Sequence, residues 1–119
     1  MVEETKASKP VVTITGVSGF IGAQTALVFL KDGNYTVRGT VRSKTNVAKI
    51  APLKAGFGEY FNQLELVEAD LMNEASITAA CAGSTYVVHI ACPVSFTMEE
   101  AELIRAAVDG SLTVMKACT

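Results

Sequence analysis

The stretch that decides the fold runs Val11-Val12-Thr13-Ile14-Thr15-Gly16-Val17-Ser18-Gly19-Phe20-Ile21-Gly22. Its first five residues are apolar or β-branched without alternation, which fits a strand buried on both faces of a parallel sheet. Three glycines spaced G-x-x-G-x-x-G follow, and Phe20 to Lys31 then reads as a helix with Ile21, Thr25, Val28 and Phe29 near one face. This spacing gains meaning when it sits directly after a strand and opens a helix. Each glycine answers a different demand. Gly16 lets the chain turn sharply off the strand, Gly19 lets the backbone approach a diphosphate that a Cβ would hold away, and Gly22 lets the helix pack closely on the strand. The helix start then offers N–H donors and the positive end of its dipole to phosphates. The alternative is a glycine turn that serves structure alone.

Outward from this turn, strands and helices alternate. Asp32-Gly33-Asn34 carries turn chemistry that ends the first helix, and Tyr35 to Val41 reads as a second strand. Thr45 to Lys54 reads as a weaker amphipathic helix interrupted by Pro52, and Gly56 to Asn62 as a loop. Leu64 to Glu68 alternates apolar and acidic residues, as a strand nearer a sheet edge would. Asn73 can cap the next helix, with Met72 and Ile77 placed for a hydrophobic staple and Gly83 as the stop. Tyr86 to Ile90 is expected as a fourth buried strand. Met98 to Cys118 is expected as a long helix, with Leu103, Ala107, Gly110, Val114 and Ala117 recurring along one face. Such alternation implies right-handed crossovers and a Rossmann-type doubly wound α/β fold: a parallel sheet between helices in three αβα layers, strand order 3-2-1-4. Residues 10–119 form one domain behind a polar tail, residues 1–9.

Composition narrows the function. The 119 residues are 50% hydrophobic, yet no apolar run approaches the roughly 20 residues a membrane span needs. A net charge of −2 supplies no basic surface for nucleic acid. The apolar cluster Ala26 to Leu30 follows a glycine turn and not a basic leader, which argues for a cytoplasmic protein. Cys81, Cys92 and Cys118 are an odd count without metal spacing, so neither a zinc site nor a disulfide framework is supported. They read as small buried hydrophobes.

The dinucleotide can be narrowed further. An NAD site places Asp or Glu at the end of the second strand, and none stands there. Between Gly33 and Gly58 every ionisable side chain apart from the tyrosine is basic: Arg38, Arg42, Lys44, Lys49 and Lys54. Arg42 lies about 20 residues past the glycine turn, where the ribose discriminator belongs. Its planar fork can hold a 2′-phosphate that a carboxylate would repel. NADP(H) is therefore the expected cofactor. The alternative is an incidental basic face on a solvated helix.

These residues, with Tyr35-Thr36-Val37-Arg38-Gly39-Thr40-Val41-Arg42 behind them, resemble the extended short-chain dehydrogenases/reductases, above all the dihydroflavonol and cinnamoyl-CoA reductase branch. Ala69-Asp70-Leu71 and His89-Ile90-Ala91-Cys92-Pro93 continue the resemblance, which runs from about Val11 to Cys118. It implies that Gly16, Ser18, Gly19, Phe20, Ile21 and Gly22 cradle the pyrophosphate, and that Arg42 and Lys49 hold the 2′-phosphate. It also implies that Asp70 accepts from the adenine amino group with Leu71 alongside, and that the backbone of Ile90, Ala91 and Cys92 borders the ribose and nicotinamide. Asp70 could equally be a loop or capping acid. His89 reads as a packed, hydrogen-bonded core residue, and Cys92 lacks the basic partner a nucleophile needs. Two positions depart from the branch. Ser43 stands where Asp is usual, which removes a negative charge, and Cys92 stands where Thr is common.

The same resemblance implies a carbonyl reduction by hydride transfer, with a tyrosine as proton donor and a lysine four residues later. Tyr35, Tyr60 and Tyr86 are followed at that distance by Gly39, Leu64 and Ile90, so no catalytic residue is assigned. The chain is thus expected to be the cofactor half of a reductase of small-molecule carbonyl compounds. The alternative is a catalytically silent dinucleotide-binding module that acts as a sensor or assembly partner. A fragment too incomplete to bind usefully is a third reading. The fourth strand would be an apolar sheet edge, and self-association or a complementing chain is expected there.

Overall fold

The computed structural model describes residues 9–91 and 99–119. The expected tail, apart from Lys9, lies outside them, as do Cys92 and the expected helix start at Met98. Among the described residues four parallel strands make one sheet: β1 (Val11–Thr15), β2 (Thr36–Val41), β3 (Leu64–Glu68) and β4 (Tyr86–His89). Their order is β3-β2-β1-β4, as the alternation of elements required. Four α-helices connect and follow them: α1 (Phe20–Asp32), α2 (Val47–Phe57), α3 (Glu74–Cys81) and α4 (Glu100–Cys118).

The strand period of two divides the core into halves. Val12, Ile14, Val37, Val41 and Leu64 point one way, against Ala26 and Leu30 of α1 and Leu53 and Phe57 of α2. On the other face Val67 and Val87 meet Ile77, Ala80 and Cys81 of α3 and Val114 of α4. The result is three layers. The α4 stripe holds: Gly110 and Val114 are buried, and Leu103, Ala107 and Ala117 are half-buried.

Several local expectations are corrected. Helix α1 buries Gly22, Ala26 and Leu30, while Ile21 and Val28 are 64% and 67% exposed. Apolar residues fall on every side of this helix, with only Gln24, Thr25, Lys31 and Asp32 polar, so hydrophobicity could not select the face. The small residues select it, because they admit the closest approach to the strand layer. Helix α2 runs through Pro52 to Phe57, and the expected loop is a 3-10 helix, Gly58–Gln63. Proline removes one helical hydrogen bond, and burial of Leu53 and Phe57, one turn apart, outweighs that loss. Asn73 does cap α3, accepting from Ser76 N–H at 3.1 Å, but Met72 is 80% exposed and makes no staple with Ile77. β4 is only half-buried, being the last strand of the sheet.

Candidate functional site

Parallel strands deliver all their C-terminal ends to one sheet edge, the place where open α/β sheets bind ligands. Gly16, Arg42, Ala69 and Ile90 lie there, each just after its strand. Gly16 adopts φ +73°, the left-handed region that favours glycine. A Cβ on Gly16 would stand 3.0 Å from Ala91 Cα, so the glycine turn and the segment after β4 touch. The turn is held from β2 as well: Thr40 Oγ1 accepts from Gly16 N–H at 3.1 Å, and the Thr40 carbonyl accepts from Val17 N–H at 3.1 Å.

Gly19 starts α1 in extended backbone with no side-chain cap, and the first turn holds no acid. The N–H groups of Phe20, Ile21 and Gly22 therefore begin a helix whose positive end faces the sheet edge. The Phe20 and Ile21 side chains are exposed beside it, and Ser18 is half-buried in the hollow between α1 and α2. Gly22 owes its identity to packing against the turn itself, since a Cβ there would meet the Gly16 carbonyl oxygen at 2.1 Å.

Thr15 organises the other side, a role the sequence reading missed. Its buried hydroxyl accepts from Ile90 N–H at 2.8 Å and Ala91 N–H at 3.0 Å, and lies 2.9 Å from His89 Nδ1. A hydroxyl has two lone pairs and one proton. With both lone pairs occupied, the proton must go to Nδ1, which fixes His89 as the neutral tautomer protonated on Nε2. The donors of Ile90 and Ala91 are thereby used, so this backbone offers a ligand its carbonyls and not its amides.

Burial pushes the His89 imidazole below its ordinary value near 6.5. A depressed base takes up its proton more readily in the unfolded chain, so its contribution to stability is full above about pH 6.5 and declines as pH falls. His89 is the sole histidine, so its ring signals are unambiguous. An NMR titration is expected to place its midpoint below that of an unfolded control, with stability falling from pH 7 to 5. A midpoint above the control's overturns the assigned tautomer.

Arg42 is exposed at the end of β2, and Lys49 is exposed in the first turns of α2. Arg38, one of the five bases counted, is spent elsewhere: it donates to Glu65 and to the carbonyls of Ala80 and Ala82. An acid does approach the discriminator region, from β3. Glu68 is in register with Val41 and accepts from Lys44 N–H at 2.8 Å. A linear window from Gly33 to Gly58 could not contain it. Asp70 serves its own loop, where Oδ1 accepts from Met72 N–H at 2.9 Å. Leu71 packs toward Gly110 of α4.

A Rossmann-type sheet with a glycine turn at its switch point defines a nucleotide-binding α/β domain. Residues 12–119 match the NAD dependent epimerase/dehydratase family, and the chain belongs to it. It is 41% identical over 113 residues to dihydroflavonol 4-reductase of Hordeum vulgare, covering 93% of this chain and 31% of that protein. Vestitone reductase from alfalfa superposes with a TM-score of 0.70 at 31% identity, over 92% of this chain and 32% of that one. The yeast methylglyoxal/isovaleraldehyde reductase complexed with NADPH shares the fold, with a TM-score of 0.67 at 24% identity over 90% and 32% of the two chains. The chain thus spans about a third of the length of the relatives it matches. No helix among the described residues is long and apolar enough to cross a membrane.

Proposed function

We propose that the chain is the NADP(H)-binding part of a cytoplasmic short-chain oxidoreductase that reduces a small-molecule carbonyl compound. The observation that carries this reading is the acid-free start of α1 at Gly19, held beside Ala91 by the left-handed turn at Gly16. Gly16, Ser18, Gly19, Phe20, Ile21 and Gly22 bind the pyrophosphate, chiefly through backbone N–H groups. Arg42 and Lys49 meet the 2′-phosphate. Asp70 retains one carboxylate oxygen for the adenine amino group while the other holds Met72, and Leu71 backs that loop. Ile90 and Ala91, with Cys92 beyond them, orient the ribose and nicotinamide through carbonyls. When bound, the cofactor supplies hydride. What this stretch contributes is position, and the proton donor lies outside it. Reductases among the relatives support the reaction class, and the NADPH complex of the yeast protein supports the cofactor.

Among the described residues β4 is the last strand of the sheet, and its outer edge accommodates a second chain or a complementing segment. Its neighbour on one side is β1, and Tyr86 is 56% exposed.

The test is a titration of the chain with NADPH and NADH, followed by intrinsic and cofactor fluorescence. NADPH is expected to bind more tightly. Arg42→Ala is expected to weaken NADPH by about tenfold and leave NADH unchanged, the loss of one exposed charge-assisted contact. Equal affinities in the unaltered chain remove the assignment.

A further inference from the structure

Two of the three cysteines, far apart in sequence, meet at one place. Cys81 is the last residue of α3 and Cys118 the last of α4. Packing of the two helices through Ile77, Ala80 and Val114 brings these ends together. Both cysteines line one hollow, with Ser84, Val87 and Ala117 around them. The Cys118 thiol lies close enough to bear on the protonation of Cys81. Cys81 is buried and Cys118 is exposed, so only one of the pair is open to a reagent from solvent.

We propose that Cys81 and Cys118 are a reversible dithiol–disulfide pair that clasps the C-terminal ends of α3 and α4. The oxidant is a low-molecular-weight disulfide. The exposed Cys118 thiolate attacks one sulfur of that disulfide and releases one small thiol, which leaves a mixed disulfide on Cys118. Cys81 Sγ then attacks the Cys118 sulfur, and its proton passes to the second departing thiolate. Two protein thiols are oxidised to one S–S bond and one small disulfide is reduced to two thiols.

The order of attack follows from the surroundings. Burial pushes the Cys81 thiol up, the neighbouring thiol adds to this, and the Arg38 guanidinium opposes it. Cys81 is therefore the poorer first nucleophile and acts once the mixed disulfide is beside it. The closed loop would contain β4 and the segment after it. The clasp would thus restrain the strand whose end faces the glycine turn, whatever ligand that turn takes.

The chain is incubated with oxidised glutathione, then alkylated and digested. Trypsin leaves Cys81 and Cys92 on one peptide, so cleavage after Tyr86 is used to separate them. The expected product is a peptide pair joined through Cys81 and Cys118, with a melting temperature raised on the order of 10 °C and restored by dithiothreitol. Cys118→Ser is expected to abolish the shift and Cys92→Ser to keep it. A lasting glutathione adduct on Cys118, a link through Cys92, or a joined pair with unchanged melting each overturns the proposal.

Discussion

Gly22→Ala is expected to destabilise the chain by about 3 kcal/mol, the upper range for forcing a methyl group into a filled site. Every atom it meets is backbone. The new Cβ would stand 2.1 Å from the Gly16 oxygen, 2.8 Å from the Gly16 carbonyl carbon and 3.1 Å from Val17 Cα. Retreat is blocked, because the Gly16 carbonyl accepts from Gly19 N–H and Val17 N–H is tied to Thr40. Val17 itself fills the space beside Gly39, whose own Cβ would fall 2.5 Å from Val17 Cγ1. Helix α1 would have to lift from the sheet. Gly19→Ala is the matched control. Its Cβ would meet only the Gly16 oxygen at 3.6 Å, an ordinary contact, and its φ of −83° suits any residue. Melting should not change, while NADPH affinity should fall at least about tenfold if phosphates lie over that backbone. Thermal unfolding and NADPH titration of both variants separate packing from binding. Native stability in Gly22→Ala contradicts the close approach, and undiminished binding in Gly19→Ala removes the phosphates from this turn.

The contrast between these glycines marks what the sequence could and could not disclose. Spacing alone placed the turn, the strand before it and the helix after it, because a parallel sheet needs that order of elements. It also found the α4 stripe, where polar residues interrupt the apolar ones often enough to define a face. It failed on α1, where Ile21, Leu27, Val28 and Phe29 blur the period, and the choice fell to the small residues Gly22 and Ala26. The site was legible in its glycines and opaque in its hydroxyls. Thr15 works on Ile90 and Ala91 across the sheet, and no local pattern announces a partner that remote. Glu68 likewise comes beside Val41 through strand register. Asp70 shows the reverse problem, since one side chain fits both a loop role and a ligand role, and the loop role is visible at 2.9 Å.

Arg38 illustrates the same point with a larger energetic consequence. Arg38→Met is expected to cost about 2–3 kcal/mol while leaving any preference for NADPH over NADH intact. The guanidinium side chain is 16% exposed, and NH1 donates to the Ala80 carbonyl at 2.8 Å and the Ala82 carbonyl at 2.7 Å. It thus serves carbonyls at the end of α3, where positive charge also suits the helix dipole. Methionine keeps much of the apolar stem and removes the donors, so the loss reports the hydrogen bonds. The ion pair with Glu65 contributes less. Glu65 is 51% exposed at 3.1 Å, and Glu65→Gln should cost under about 1 kcal/mol. Arg38→Lys should recover only part of the loss, because a single ammonium lacks the planar fork that reaches Glu65 and both carbonyls together. Denaturant unfolding of the three variants gives these values, and the NADPH and NADH titrations run beside it supply the second axis. Arg42→Ala should move only the titrations and Arg38→Met only the unfolding, though both residues are arginines of one strand-and-turn segment. An Arg38→Met chain with native stability and no NADPH preference would reverse the two roles and place the discriminating guanidinium inside β2 instead of at its end.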